Sequence, residues 1–108
     1  MNRGEVWWVD FSSGHGGEIQ KARPAVIVSN NSANKFLNRL QVIPLSSQVT
    51  KVYPSEAIVT LDGKQNKALA DQITTASKGR LKNKAGSLSS KDMVSIDRII
   101  KIQLGLQN

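Results

Sequence analysis

Residues 14–30 read GHGGEIQKARPAVIVSN and change character halfway along. The first half is polar and contains three glycines, whereas the second half is an apolar, β-branched run. Such a run is typical of a β-strand, and Pro24 is tolerated near its beginning because a missing backbone donor does least harm there. The stretch therefore predicts a polar loop that leads directly into a strand over residues 23–30.

The segments on both sides of this stretch also predict short strands. Four of them are rich in aromatic or β-branched residues: VWWVDF (6–11), RLQVIPLSS (39–47), SEAIVTL (55–61) and ALADQITTAS (68–77). The last of these is interrupted near Asp71. Between them, NSANKF (31–36) predicts a turn or a short helical piece, and DGKQNK (62–67) predicts a turn. A last short strand is expected around residues 80–82.

The C-terminal segment SLSSKDMVSIDRIIKIQLGL (87–106) has a different period. Its apolar residues recur at helical spacing, which predicts a helix over Ser90–Leu104. Ser89 followed by Asp92 resembles a capping box, and Gly105 suits the end of a helix. Short strands followed by one helix predict a mainly β protein with a C-terminal helix, built as a bent antiparallel sheet or barrel in one domain over residues 1–108.

Charge and composition narrow the class of protein. The chain has 15 Lys and Arg against 8 Asp and Glu, a formal net charge of +7. This surplus attracts polyanions and makes nucleic acid the first partner to expect, although an acidic protein partner, or lysines that only aid solubility, fit the same charge. There is no cysteine for a disulfide framework. With neither a secretory signal pattern nor a membrane-length apolar run, we expect no membrane association and a cytoplasmic location.

Glu18 and Arg23 are the first candidates for a functional site. Glu18 lies in the glycine-containing loop and Arg23 begins a strand, so the pair could place one movable group and one fixed cation around a phosphate. A surface ion pair without function is the alternative. His15, the single histidine, is either a proton-transfer group or a solvated loop residue. No cluster of His and carboxylates has metal-ligand spacing, so any catalysis is expected to be metal-free, without a cofactor.

Two further segments offer polar groups. In PLSSQ (44–48) a strand ends and exposes Ser46 and Ser47, whose hydroxyls can donate to a phosphate oxygen or a base edge, although serine is also common at strand ends. Asp71 interrupts an apolar run, so its carboxylate either binds the backbone of a turn or faces a cleft.

The remaining candidates are cations and aromatic residues. Lys78, Arg80, Lys82 and Lys84 are spaced by two, so an extended segment would aim all four the same way, as a positive stripe for a phosphate backbone or as a solvated face. Trp7, Trp8, Phe36 and Tyr53 could stack on bases, although tryptophans inside an apolar strand more often belong to the core.

Taken in order, these motifs resemble the MazF/PemK/Kid family of toxin endoribonucleases. The resemblance is carried by RGEVWWVDF, GGEIQKARPAVIVSN, VIPLSSQ, YPSEAIV, ALADQITTASKGRL and IDRIIKIQLGL, which extend from residue 3 to residue 106. It implies an SH3-like barrel with a C-terminal helix, working as a homodimer whose interface groove accepts single-stranded RNA. It also implies metal-independent cleavage at a short preferred sequence, leaving 2′,3′-cyclic phosphate and 5′-hydroxyl ends, and a cognate antitoxin that blocks the groove.

The resemblance also assigns roles to residues. The family's catalytic arginine falls on Arg23, its glutamate on Glu18 and its strand-end threonine or serine on Ser46. The aspartate that some members use falls on Asp71. The predicted RNA-binding residues are Ser47, Gln48, Asp71, Lys78, Arg80 and Lys82.

Two departures from the family pattern affect the expected mechanism. Gly17 stands where some members have a histidine, and Leu69 stands where some have an arginine. The mechanism is therefore expected to depend on Arg23 and Ser46 rather than on an Asp–Arg pair. Two alternatives stay open: a non-catalytic barrel that binds a protein target such as gyrase, and a plain RNA-binding module.

Overall fold

The computed structural model describes residues 1–12 and 22–107, so Glu18 and His15 lie outside the described residues. Within these ranges the chain forms, in order, β1 (Glu5–Asp10), β2 (Ala22–Ile27), α1 (Asn31–Phe36), β3 (Arg39–Ser46), β4 (Glu56–Leu61), β5 (Lys64–Leu69), β6 (Thr74–Ser77), β7 (Leu81–Ser87) and α2 (Ser90–Leu104). Short 3₁₀ turns over Ala70–Gln72 and Lys78–Arg80 flank β6. The predicted mainly β fold with a C-terminal helix is confirmed.

The strands pair antiparallel in the order β4–β5–β3–β2–β1–β7. The long strand β3 bends this sheet, because its two ends have different partners on the same side. Its first half pairs with β6, whereas its last residues, Leu45 and Ser46, pair with Ala68 and Lys67 of β5. On its other side β3 pairs with β2 throughout residues 42–44. The ends of β2 and β3 therefore meet the β4–β5 hairpin at one corner of the sheet.

Apolar side chains cover both faces of the sheet. On one face, Ile96 and Ile99 of α2 pack against Val6, Val26, Ile43 and Val59 of the sheet. The opposite face contains Val9, Ala25, Ile27, Leu40, Val42 and Leu81. Because successive residues of a strand point to opposite faces, β2 contributes to both clusters, which explains its continuous apolar run.

The helix α2 begins and ends as the sequence predicts. The Ser89 hydroxyl accepts a hydrogen bond from the Asp92 amide (3.1 Å), and Gly105 ends the helix in the left-handed region at φ 69°. The Asp92 carboxylate does not complete the predicted capping box. It accepts a hydrogen bond from the Thr60 amide (2.9 Å), so it ties the first turn of α2 to the outer strand β4.

The predicted turn over residues 62–67 is wrong in its extent, and the last predicted strand is present but longer than expected. The predicted turn over residues 62–67 is a two-residue turn, because Asp62 (φ 50°) and Gly63 (φ 75°) both adopt left-handed backbone, as Asp-Gly hairpin turns do. Residues 64–67 already belong to β5. The strand expected around residues 80–82 instead begins at Leu81 and continues to Ser87.

None of the helices in the part of the chain that the structure describes is long and apolar enough to cross a bilayer.

Candidate nucleic-acid site

The ends of β2 and β3 bring the two main candidate residues together. Ala25 is paired with Pro44, and continuing this register by two residues places Arg23 opposite Ser46. The strand pairing places these two residues at adjacent strand ends, and both of them line the same pocket. They are 23 residues apart in the sequence, and the pairing of β2 with β3 brings them close together.

A surface pocket of about 570 Å³ opens at this corner of the sheet. Four residues predicted for the site line it: Arg23, Ser46, Ser47 and Gln48. The β4–β5 hairpin supplies another wall with Asp62, Lys64 and Asn66, and the apolar part comes from Trp8, Pro24, Leu45 and Leu61. The pocket thus combines one arginine, several hydrogen-bonding side chains and an aromatic ring.

Arg23 also borders a second pocket, of about 370 Å³. Phe11 and Pro44 form its apolar side, and Gln72 and Thr74 form its polar side. The Arg23 side chain is half-buried between the two concave surfaces. A polymer that occupied both pockets would therefore pass directly over this guanidinium.

Ser46 has one hydrogen bond that orients it. Its hydroxyl oxygen accepts a hydrogen bond from the Gln48 amide (3.2 Å). A hydroxyl can accept and donate at the same time, so this bond leaves the O–H hydrogen able to donate to a group in the pocket. The same bond fixes the turn that presents Ser47 and Gln48.

A buried ion pair lies next to this turn and was missed by sequence reasoning. Lys67 pairs with Ser46 across β3 and β5, and its Nζ lies 2.8 Å from Glu56 Oε1. Burial by itself raises the pKa of Glu56, but hydrogen bonds from the Lys67 ammonium and the Tyr53 amide, with the lysine charge, bring it below its usual value. Lys67 lies in DGKQNK, which the sequence predicted as a polar turn, so no pattern pointed to its burial.

The predicted positive stripe does not form as one extended segment. Lys78 and Arg80 belong to a 3₁₀ turn, whereas Lys82 and Lys84 belong to β7. Arg80 Nη1 donates to the carbonyls of Asp10 (3.2 Å) and Ser12 (2.9 Å). Lys82 Nζ donates to the Gly79 carbonyl (3.0 Å), and Lys84 pairs with Glu5 (3.6 Å). Arg80, Lys82 and Lys84 are therefore held by their own chain, and the binding of the predicted cations to RNA stays a prediction.

Asp71 interrupts the strand region as predicted. β5 ends at Leu69, and Asp71 is exposed on the 3₁₀ turn that follows. Its neighbour Gln72 lines the smaller pocket. Leu69, which stands where some family members have an arginine, is buried. Asp71 is therefore the direct neighbour of a pocket-lining residue, and a buried leucine, not an arginine, stands two residues before it.

The two tryptophans of β1 have different surroundings. Trp7 packs against the core cluster on the face away from α2, and its Nε1 donates to Glu5 (2.9 Å). Trp8 is 43% exposed and lines the larger pocket, so the prediction that favoured the core is wrong for it. Strand alternation could have separated them, since adjacent residues point to opposite faces. Lys64 and Asn66 were missed because they were assigned to a turn.

Among residues 1–12 and 22–107, no group of three or more His, Cys, Asp and Glu side chains is arranged to hold a metal ion.

Comparisons with known proteins give a consistent result. A family model described as "PemK-like, MazF-like toxin of type II toxin-antitoxin system" matches residues 2–104. Endoribonuclease MazF9 of Mycobacterium tuberculosis is 37% identical over 115 residues, covering 98% of this chain and 98% of that protein. Endoribonuclease MazF of Staphylococcus saprophyticus is 35% identical over 112 residues, covering 98% and 92%.

Solved structures show the same fold. An endoribonuclease in complex with its cognate antitoxin, from a mycobacterial species, superposes with a TM-score of 0.84 at 26% identity, covering 100% of this chain and 98% of that chain. MazF from Deinococcus radiodurans superposes with a TM-score of 0.79 at 22% identity, covering 98% and 97%.

Proposed function

Because the chain belongs to the PemK-like, MazF-like toxin family of type II toxin–antitoxin systems, we propose that it is an endoribonuclease acting where Arg23 and Ser46 meet. Its substrate is single-stranded RNA, cut at a short preferred sequence to leave 2′,3′-cyclic phosphate and 5′-hydroxyl ends. The observation that supports this most is that Arg23 and Ser46, at adjacent ends of β2 and β3, line the same pocket.

The proposed cleavage depends mainly on stabilising the negative charge that develops on the phosphate. The ribose 2′-hydroxyl loses its proton and attacks the adjacent phosphorus, and the bond to the 5′-oxygen breaks as that oxygen leaves and takes up a proton. Negative charge accumulates on the two non-bridging oxygens. The Arg23 guanidinium binds these oxygens as a planar fork, and the Ser46 hydroxyl donates to one of them. Arginine stays protonated in proteins, so its role here is electrostatic.

The two pockets beside Arg23 suit the nucleotides on either side of the reacting phosphate. The larger pocket offers the Trp8 ring for stacking and the side chains of Gln48 and Asn66 for base edges. The smaller pocket offers Phe11 and Gln72. Holding both neighbours aligns the 2′-oxygen, the phosphorus and the leaving oxygen, which supplies much of the rate enhancement.

Glu18 and Asp71 complete the proposed site. Glu18 lies outside the described residues and is proposed to position the RNA or to transfer a proton. Asp71, Ser47 and Gln48 are proposed to contact RNA, as are Lys78, Arg80 and Lys82. No metal or cofactor takes part in this proposal.

The proposal includes two protein partners. A mycobacterial endoribonuclease of this fold was solved with its cognate antitoxin, which supports a cognate antitoxin for this chain too. An antitoxin with an acidic tail would suit the charge of +7. We also propose that the chain works as a homodimer in the cytoplasm, where single-stranded RNA is available.

The test is cleavage of single-stranded RNA in EDTA by the purified protein and by Arg23→Ala. We expect the wild type to produce 5′-hydroxyl ends. The variant should bind RNA within a few-fold of wild type but cleave it roughly 10²–10³ times more slowly, as expected for the loss of one oxyanion donor. Full cleavage by a folded Arg23→Ala protein would refute the assignment. Salt-dependent binding by the wild type without scission would instead indicate an RNA-binding module.

A further inference from the structure

We propose that Lys67 is a positioning residue that holds Ser47 and Gln48 in place as the base-contacting wall of the larger pocket. This role rests on the proposed RNA-cleaving function. Among the described residues, the Lys67 side chain bonds to the Lys51 carbonyl and the Glu56 carboxylate, and Lys67 does not line the pocket. Its effect is exerted through the loop between β3 and β4, residues 47–55.

One residue holds both ends of the part of the loop that enters the pocket. The backbone of Lys67 pairs with Ser46, the last residue of β3, directly before Ser47. Its Nζ donates to the Lys51 carbonyl (2.8 Å). The intervening residues 47–50 are therefore anchored at each end to the same lysine, and they include the two pocket-lining residues.

Glu56 extends this anchor to the far end of the loop. Its Oε1 accepts hydrogen bonds from Lys67 Nζ (2.8 Å) and from the Tyr53 amide (3.0 Å). The Glu56 amide in turn donates to the Tyr53 carbonyl (2.9 Å). The Lys67 ammonium also lies 5.6 Å from the centroid of the Tyr53 ring. The loop thus returns to the sheet through contacts that centre on the Lys67–Glu56 pair.

Apolar packing holds this loop only in part, since Val49 is partly buried and its other large apolar side chains are exposed. Val52 is 47% exposed and Tyr53 is 58% exposed, whereas Lys67 is only 9% exposed. A segment with few buried apolar contacts opens easily unless polar contacts fix it. A buried ion pair is often no more stabilising than apolar residues of similar volume, so global stability alone does not account for this one. A role in holding residues 47–55 does account for the position of the Lys67–Glu56 pair.

The expected consequence concerns RNA recognition rather than the chemical step. If the loop is released, binding RNA must also order residues 47–50, and this ordering weakens binding. Arg23 and Ser46 belong to the β2 and β3 strands, so they keep their relative positions. We therefore expect KM to rise and the cleavage sequence preference to relax, with a smaller fall in kcat because the Gln48 amide no longer orients the Ser46 hydroxyl.

The experiment uses three variants of the full chain: Lys67→Met, Glu56→Leu and the double variant. Each single variant leaves one buried charge without its partner and should lower Tm. The double variant replaces the pair with apolar side chains and should recover most of that Tm. It cannot restore the bonds to Lys51 and Tyr53, so its KM should stay about tenfold above wild type, with faster amide hydrogen exchange over residues 47–55. Lys91→Met, which removes an exposed lysine from α2, is the matched control and should keep wild-type kinetics.

The outcomes separate this inference from the proposed function. If the double variant recovers wild-type KM and sequence preference together with Tm, Lys67 is only a stabilising residue and the inference is wrong. Unchanged KM in a folded Lys67→Met protein overturns it as well. If the wild type itself does not cleave RNA, the proposed function fails, whereas hydrogen exchange in the variants still reports whether Lys67 anchors the loop.

Discussion

The Ser46 hydroxyl accepts a hydrogen bond from the Gln48 amide (3.2 Å), two residues beyond the end of β3. This bond has two effects at once. It turns the chain so that Ser47 and Gln48 face the pocket, and it orients a hydroxyl that lines the same pocket as Arg23. A single serine therefore connects the charge-stabilising part of the proposed site with its base-contacting part.

Removing this hydroxyl should impair cleavage more than binding. We expect Ser46→Ala to slow single-turnover cleavage about 100-fold, because a donor to the developing oxyanion is lost. Ser46→Thr keeps the hydroxyl and should retain most of the rate. Ser47→Ala is the neighbouring control and should change RNA affinity, not the rate at saturation. Cleavage at the wild-type rate by Ser46→Ala would remove Ser46 from the mechanism.

Substitutions of the two adjacent tryptophans of β1 should affect different properties, RNA binding in one case and stability in the other. Trp8→Ala should raise the Kd for single-stranded RNA roughly 10-fold, because a stacking surface worth about 1–3 kcal/mol per base is removed. Trp7→Ala removes a ring that packs on the core, so it should lower the free energy of unfolding instead. Binding titrations and urea unfolding distinguish the two, and equal effects of both substitutions on RNA affinity would contradict the assignment of Trp8.

The Lys67–Glu56 pair should make stability depend on pH in acid. The folded-state pKa of Glu56 is below its ordinary value of 4.5 because the Lys67 and Tyr53 hydrogen bonds outweigh the effect of burial. The unfolded chain therefore takes up this proton more readily. The contribution of Glu56 to stability is fully present above its unfolded pKa and is lost as the pH falls through its folded pKa.

Urea unfolding at a series of pH values measures this contribution. Below about pH 5 the free energy of unfolding should decline less steeply in Glu56→Gln than in wild type. Parallel curves for the two proteins would show that Glu56 is not the group responsible.

The hairpin turn between β4 and β5 should depend on Gly63. Its φ of 75° is unfavourable for a residue with a Cβ, and nothing lies within 4 Å of a Cβ added there, so a substitution introduces backbone strain alone. We expect Gly63→Ala to lower the free energy of unfolding by about 1 kcal/mol. Gly63→Asn should lower it less, because asparagine tolerates left-handed backbone. Equal stability of all three proteins in urea would contradict the turn geometry.

Local patterns in the sequence predicted most of the elements. The apolar run after Arg23, the period change after Ser87 and the caps Ser89 and Gly105 depend on neighbours within a few residues, which is why they can be read directly. The β4–β5 hairpin was the main failure. Its second strand begins with Lys64, Gln65, Asn66 and Lys67, and this polar run hid a strand that only pairing with β3 and β4 reveals.

The positive stripe failed for a related reason. Spacing by two predicts a shared face only if the backbone is extended throughout, and the 3₁₀ turn over Lys78–Arg80 breaks that condition. Arg80 also donates hydrogen bonds to the backbone carbonyls of Asp10 and Ser12, which are distant in the sequence. A local sequence pattern does not identify a hydrogen-bond partner 70 residues away.

The sequence by itself determined the strand-rich fold, the closing helix and its caps, the surplus of positive charge and the identity of Arg23 and Ser46 as candidates. The tertiary structure alone decided that these two line one pocket, that Trp8 and the β4–β5 hairpin complete it, and that Lys67 is buried behind it. The physical reason is the distance along the chain over which the interactions act. Helix caps and periodicity depend on residues within one or two turns of chain. Strand register and burial depend on which distant segments pair.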